Sequence, residues 1–200
     1  MKKLVLSLLA VTGLACSASA QTEKGKFVLG GSFSFTSTKV DGAIKPDVSF
    51  DAVPSIGYFA ANNFAIGTGV GYTYSKEVSE ENQNEAFVVA PFGRYYVNLS
   101  DQFKFFGQLS VPLAFGSNKD VEKTGETGNK NATTTSIGVN LAPGFVFFPT
   151  KSIGIEVSVN GFGYQKFEAK STLTDQKAKT TDFGFDADTF APRLGISFHF

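Results

Sequence analysis

Bulky apolar and small side chains alternate along much of this chain with a period of two residues. That spacing places them on opposite faces of a β-strand. In residues 64–75 one phase carries Phe64, Ile66 and Tyr72, and the other phase carries small residues, half of them glycine. Residues 103–116 repeat the arrangement, with Phe103 and Leu109 on the bulky face. Runs of this kind last roughly 10–14 residues, the length that a tilted membrane strand requires.

The segments between these runs fall into two classes. Three are short, at residues 60–63, 98–102 and 149–152. Four are longer and polar, at residues 39–47, 76–85, 117–134 and about 167–182. Seven connections join eight strands, and short turns at one rim with long loops at the other are typical of outer-membrane barrels. We therefore predict an all-β, eight-stranded antiparallel up-and-down transmembrane β-barrel with both termini at the short-turn, periplasmic rim.

A proline recurs on every even-numbered predicted strand, at Pro54, Pro91, Pro143 and Pro192. The residues around these prolines resemble one another, so the repeating unit is a hairpin that occurs four times. Proline cannot donate to a strand ladder, and a closed barrel has no free edge to accommodate it. We expect β-bulges at these positions.

The alternation fits either a lipid-facing barrel or a soluble barrel whose bulky face points inward. The smaller face is mostly Gly, Ala and Ser, whereas a soluble barrel would present Lys, Glu and Thr to water. An eight-stranded interior also has room only for small or interlocking side chains. We therefore place the bulky face toward lipid. We expect an interior polar network of Arg94, Lys104, Gln108, Asn140, Glu156 and Arg193.

The charges in this network need partners in a narrow interior. We expect Glu156 to pair with at least one of the cations Arg94, Lys104 and Arg193 in a polar plug. The alternative is solvation of these charges by trapped water.

Aromatic residues concentrate near the ends of the predicted strands, where membrane barrels carry aromatic girdles. Near the short turns these residues are Phe27, Tyr58, Phe64, Tyr95, Phe103, Phe147 and Phe200. Near the long loops they are Phe35, Tyr74, Phe115 and Phe190.

The first 20 residues have the features of a secretory signal peptide. Lys2 and Lys3 precede an apolar stretch at residues 4–14, and Ala18-Ser19-Ala20 is a small-x-small cleavage site. We predict a cleaved signal over residues 1–20 and a barrel domain over residues 21–200. The alternative is lipidation at Cys16, but Gly13 stands where a lipoprotein signal usually has Leu.

Composition narrows the function classes. The chain contains 22 Phe and 21 Gly, and its 18 basic residues balance its 18 acidic residues. Such a balance provides no basic patch, so nucleic acid is not an expected partner. Outside the signal, no run approaches the ~18 apolar residues of a membrane helix, so a membrane-spanning form must be a closed barrel.

The chain resembles the outer-membrane β-barrel domain family of small OmpA/OmpX-like and porin-family barrels. The likeness rests on the signal peptide, the Pro-Phe-Gly-Arg-Tyr-Tyr run at residues 91–96, and the final strand. In that family a terminal Phe, with apolar residues at every second position before it, is a recognition signal for the barrel-assembly machinery. The resemblance implies that signal here and a location in the bacterial outer membrane. Its residues would be Leu194, Ile196, Phe198 and Phe200.

Candidate catalytic groups are few. His199 is the single histidine and lies beside the C-terminus, where packing or hydrogen bonding is a more common role than catalysis. Asp182, Asp186 and Asp188 could form a loose cation site, but carboxylates near a loop are more often simply solvated. Glu80, Glu81 and Glu85 are interpreted in the same way. We predict no enzyme activity, no cofactor and no metal.

Two function classes remain ahead of an enzyme. The first is a structural or surface-interaction barrel, with long loops outside, a filled polar interior and a possible extracellular ligand at the loops. The second is a narrow porin-like channel for small solutes, ranked lower because an eight-stranded interior is normally filled. Outer-membrane lipid, and the assembly machinery during biogenesis, are the other expected partners.

Overall fold

The structure, a computed structural model, describes residues 21–39, 44–122, 124–159, 161–185 and 193–200. Eleven β-strands account for most of this part of the chain. They are β1 Phe27–Thr38, β2 Asp47–Ala61, β3 Phe64–Glu77, β4 Asn82–Asn98, β5 Phe103–Ser110, β6 Leu113–Val121, β7 Thr127–Phe147, β8 Ile153–Ser158, β9 Phe162–Ser171, β10 Lys177–Phe185 and β11 Arg193–His199.

The eleven strands form an eight-stranded closed barrel, because three barrel strands are each divided in two. β5 and β6 both pair with β4 on one side and β7 on the other. β8 and β9 share β7 as a neighbour, and β11 and β10 pair with them in turn. β1 pairs with β11 at Val28–His199 and Leu29–Phe198, which closes the cylinder near the termini. Beyond that level no strand pairing joins β1 to β10 among the described residues. All pairings are antiparallel, and the predicted fold class is confirmed.

The bulky face of the alternation points outward, as predicted. Phe33 is 72% exposed and Phe115 is 53% exposed, whereas their neighbours in sequence turn inward. Near the rim that carries both termini, hereafter the terminal rim, the outward aromatic residues are Phe27, Tyr58, Phe64, Tyr95, Phe103 and Phe147. Toward the opposite, distal rim they include Phe35, Phe87, Phe115, Phe162, Tyr164 and Phe183. Phe190 lies outside the described residues.

Three of the four connections expected to be long loops are tight hairpins. Only residues 78–81 separate β3 from β4, residues 122–126 separate β6 from β7, and residues 172–176 separate β9 from β10. The expectation was wrong because strand ladders join backbone groups. A segment that is polar on both faces can therefore continue a hairpin beyond the apolar belt. The first of the four, residues 39–46, remains a connection between β1 and β2.

The prolines of the repeat interrupt the ladder in different ways. Between β2 and β3, pairing passes from Ala52–Tyr72 to Ser55–Gly69 without a shift, so the expected bulge is absent at Pro54. Pairing of β3 with β4 is likewise continuous through Pro91. Pro192 lies outside the described residues.

Pro91 instead lies opposite the division between β5 and β6. Its carbonyl accepts a hydrogen bond from the Val111 amide at 2.9 Å, but Pro91 has no N–H to return. Pro112 follows Val111 and its carbonyl accepts from the Gly138 amide at 2.9 Å. Pro91 and Pro112 thus both lack an N–H at the same height in the barrel. The fifth barrel strand is interrupted there, but its register is unchanged.

Pro143 lies opposite the division between β8 and β9, and the register shifts within this division but not at the proline itself. Gly144 pairs with Ser158 and Asn140 pairs with Gly163. Four steps along β7 therefore face five steps along the seventh barrel strand. The Val159 amide donates to the Pro143 carbonyl and the Gly161 amide to the Leu141 carbonyl, each at 3.0 Å and in the register of β8, so the extra residue follows Gly161.

Among the residues that the structure describes, no helix is long and apolar enough to cross a bilayer.

Close strand contact at Gly67 gives a test of the packing. A Cβ atom there would collide with the Ile56 carbonyl and lie 2.6 Å from Cζ of Phe92. Gly107, also within a strand, has nothing within 4 Å of such an atom. We expect Gly67→Ala to lower the free energy of unfolding in detergent by about 1–3 kcal/mol, measured by urea titration with heat-modifiable gel migration. Gly107→Ala is the control, and equal losses in both variants would contradict this packing.

Candidate functional site in the barrel lumen

The half of the lumen near the terminal rim is filled by a cluster of rings, which we call the plug. Its members are Phe59, Tyr96, Phe106, Phe148 and His199, each no more than 2% exposed. Ring centroids are 5.7 Å apart for Phe59 and Tyr96, 5.9 Å for Tyr96 and Phe106, and 5.0 Å for Phe148 and His199. The rings therefore interlock across the barrel axis rather than line its wall.

Small residues on neighbouring strands make room for the plug. A Cβ atom on Gly144 would lie 2.5 Å from the Phe106 ring, and one on Gly154 would lie 3.2 Å from Phe148. Ala65 is fully buried beside them. Small inward side chains beside large ones thus let a narrow barrel enclose rings, which the expected small inward face did not predict.

An ion pair lies within the lumen, in contact with the plug. Arg94 donates to Glu156 Oε1 at 2.7 Å, to Gln108 Oε1 at 2.8 Å and to the Tyr96 hydroxyl at 3.1 Å. Its guanidinium also lies 4.4 Å from the centroid of the Phe106 ring. The Arg94 and Glu156 side chains are only 15% and 13% exposed. The expected pairing of Glu156 with an interior cation is therefore observed.

The other three residues of the expected network do not join this pair. Lys104 is buried, but its ammonium donates to the Thr22 hydroxyl at 2.8 Å and lies 5.9 Å from the Phe148 ring centroid. Asn140 and Arg193 are exposed, and no contact joins them to the pair among the described residues. Period-two alternation fixes the face of a side chain but not its depth in the barrel. Asn140 and Arg193 both lie next to the interrupted part of the seventh and eighth barrel strands.

The segment before β1 enters the lumen at the terminal rim, which alternation did not predict. The Gln21 carbonyl accepts from Nδ1 of His199 at 2.6 Å, and Nε2 of His199 lies 3.1 Å from the Ser197 hydroxyl. Thr22 is buried and bonds to Asn63 as well as Lys104. His199 therefore has a packing and hydrogen-bonding environment, with both ring nitrogens engaged.

Beyond the plug, the distal half of the lumen contains a polar cavity, which we call the distal pocket. Its volume is about 330 Å³. Six of its polar lining residues are Asp51, Thr73, Asn84, Asn118, Thr134 and Gln165. No feature of the sequence singled these residues out, because each is an ordinary inward position on a different strand.

Charged groups at the distal rim are held by specific partners. Asp47 accepts hydrogen bonds from the Val78 amide at 2.7 Å and the Ser79 hydroxyl at 2.7 Å, and the bonds from Ser79 hold the pKa of this carboxyl below its usual value. Lys170 lies 2.8 Å from Asp175 and likewise lowers the pKa of that carboxyl. These contacts fix the β3–β4 and β9–β10 turns.

The carboxylates expected to be merely solvated are only partly so. Glu85 forms an ion pair with Lys119 at 2.6 Å and accepts from the Ser117 hydroxyl at 3.1 Å, which corrects that expectation. Glu80 and Glu81 are exposed in the β3–β4 turn. Of the suggested cation site, Asp186 and Asp188 lie outside the described residues. No group of three potential metal ligands occurs within the described ranges.

Comparison with protein families matches residues 6–188 to the outer membrane protein beta-barrel domain. The chain belongs to the outer membrane protein beta-barrel domain family. Membership places this barrel in the outer membrane of a Gram-negative bacterium. The match ends before β11, so the closing strand is characterised by the structure rather than by the family.

A solved barrel supports the fold. The chain is similar to the outer membrane protein OprG from Pseudomonas aeruginosa, with 16% identity, a TM-score of 0.52, and coverage of 91% of this chain and 99% of that one. The N-terminal β-barrel domain of Pseudomonas aeruginosa OprF has 11% identity and a TM-score of 0.48, covering 90% of this chain and 99% of that one. Comparison with curated proteins finds no match.

The ion pair gives a second test. Glu156→Ala leaves the Arg94 guanidinium in the lumen without its carboxylate, and we expect the free energy of unfolding to fall by about 3–5 kcal/mol. Arg193→Ala is the control, since removal of an exposed side chain without such contacts should change it by no more than about 0.5 kcal/mol. Urea titration in detergent would measure both. A stability unchanged in Glu156→Ala would mean that water solvates Arg94 equally well.

Proposed function

We propose that this outer-membrane barrel has a structural and surface-interaction role, and that it does not conduct solutes. The observation that carries the proposal is the plug. Five rings and a hydrogen-bonded ion pair occupy one half of the lumen, and the rings are almost completely buried. A solute passing through would have to displace buried apolar surface and separate Arg94 from Glu156, which is costly in a low-dielectric interior.

The distal hairpins support the interaction role. Strand pairing continues through β6–β7 to Val121 and Thr127, and through β9–β10 to Ser171 and Lys177. Side-chain contacts such as Lys170 with Asp175 hold the turns. A surface that is ordered before binding loses less conformational entropy on binding than a flexible loop does. The proposed partner is an extracellular molecule that contacts these hairpins.

Outer-membrane lipid is the second proposed partner. Exposed apolar residues occur on every described strand, and aromatic side chains lie toward both rims. Exposure of this surface to water would be unfavourable, whereas hydrocarbon accommodates it.

Conductance measurements test the closed lumen. We expect the purified protein in planar bilayers to give no steady single-channel steps. A triple variant Phe59→Ala, Tyr96→Ala and Phe106→Ala, which empties the plug, should give them. The matched control is the outward triple variant Phe64→Ala, Phe103→Ala and Phe145→Ala. Steady steps from the unmodified protein would contradict the proposal and favour a narrow channel instead.

The C-terminal residues are the proposed signal for the barrel-assembly machinery. Leu194, Ile196 and Phe198 are exposed on the outward face of β11, and the Phe200 ring stacks on Phe27 with centroids 6.0 Å apart. Three of the four side chains are thus presented on one surface of the closing strand.

Removing the Phe200 ring and the Phe27 ring in separate variants distinguishes recognition by the assembly machinery from a packing role. Phe200→Ala and Phe27→Ala both remove this ring contact, and Phe27→Ala also removes the contact of Phe27 with Tyr58, whose ring centroids are 5.2 Å apart. We therefore expect purified Phe200→Ala to be at least as stable in detergent as Phe27→Ala. Only Phe200→Ala removes the terminal ring, so only that variant should show reduced membrane-inserted protein in cells, measured by fractionation and heat-modifiable migration. Equal amounts of inserted protein in both variants would contradict the assembly role.

A further inference from the structure

The distal pocket has the size of a small-molecule site. Its volume of about 330 Å³ lies at the lower end of the roughly 300–1,000 Å³ range of ligand pockets. Its lining comes from β2, β3, β4, β6, β7 and β9, and each of these strands pairs with the next in that order. The polar groups are therefore mounted on strands rather than on loops, which fixes their relative positions.

The polar lining is rich in neutral hydrogen-bonding groups. Asn84, Asn118 and Gln165 provide amides, and serine and threonine hydroxyls lie between them. No lysine or arginine lines the pocket, so an anion would find no opposite charge. The lining is thus suited to a ligand that both donates and accepts many hydrogen bonds without carrying a charge.

Two carboxylates line the pocket, and only one is available to a ligand. Both Glu85 oxygens are engaged, because they accept from Lys119, Ser117 and Tyr72. Asp51 accepts one bond, from the Ser34 hydroxyl to Oδ2 at 2.8 Å. A single available carboxylate is too few for a divalent cation, which prefers six or more oxygen ligands. Its other oxygen can instead accept from ligand hydroxyls.

Phe167 and two alanines provide the apolar part of the same lining. A sugar ring presents hydroxyls at its edge and C–H groups on its faces, so it matches a pocket with hydroxyl and amide walls and one aromatic side. We propose that the distal pocket binds a neutral polyhydroxyl compound the size of one sugar ring. This inference goes beyond the proposed function, since a closed barrel requires no ligand in its lumen.

Titration calorimetry tests the proposal directly. The full barrel in detergent micelles would be titrated with D-glucose, D-galactose and D-mannose, and with sodium phosphate and calcium chloride as charged probes. We expect saturable binding of at least one sugar with a Kd of order 1 mM or tighter, and none for the two salts. Absence of saturable heat for all three sugars up to about 50 mM would overturn the proposal, as would preferential binding of phosphate or calcium.

Two variants locate the binding. Ala114→Phe inserts a ring into the pocket and should abolish sugar binding, while Ala52→Phe makes the same change on the outward face and should leave binding unaffected. Asp51→Asn retains the size of the side chain and should weaken binding about tenfold, since a charge-assisted bond is lost. Heat-modifiable migration confirms that each variant folds. Sugar binding that survives Ala114→Phe would overturn the assignment to this pocket.

The outcome is independent of the conductance test. Saturable sugar binding with steady conductance would reject the closed lumen and retain the pocket. Absence of both conductance and sugar binding would retain the closed lumen and reject the pocket.

Discussion

The need to pair every backbone amide and carbonyl within the protein governs this fold. Hydrocarbon offers no hydrogen-bonding partner, so a sheet in the membrane must close on itself. β1 meets β11 through Val28–His199 and Leu29–Phe198, and Phe27 and Phe200 exchange two further backbone bonds at 2.7 and 3.0 Å. Closure then dictates the lumen. A cylinder of eight strands is narrow, so the inward phase alternates rings with glycine and alanine beside the plug, and a polar cavity lies beyond it.

The prolines show how the same constraint tolerates local exceptions. The carbonyls of Pro91 and Pro143 each accept a hydrogen bond from the next strand, but neither proline has an N–H to donate in return. In both cases that next strand divides at the level of the proline, into β5 and β6 or into β8 and β9. The defect is therefore confined to one or two pairs, and only the division opposite Pro143 includes a register shift. Two of the four repeated prolines thus lie opposite divided strands, while Pro54 does not.

Sequence periodicity determined the face of nearly every strand residue but not its depth or its neighbours. Arg94 and Glu156 have the inward phase and meet, because β4 and β8 bring them to the same level. Asn140 and Arg193 share that phase and remain exposed, because their level depends on a register shift that alternation does not encode. The polarity of residues 167–182 predicts a loop, but polarity alone does not distinguish a loop from a hairpin that extends beyond the apolar belt. The entry of Gln21 and Thr22 into the lumen had no periodic signal at all, since it depends on two hydrogen bonds from distant residues.

The joining of Phe27 to Phe200 has a consequence for the order of events during biogenesis. The first and last strands of the cylinder are also the first and last to leave the ribosome. The seam between them can therefore form only after synthesis of the whole domain has ended, so every earlier intermediate carries an unpaired edge. Until that moment the chain needs a chaperone that covers the edge, because the seam is complete only when Phe200 pairs with Phe27.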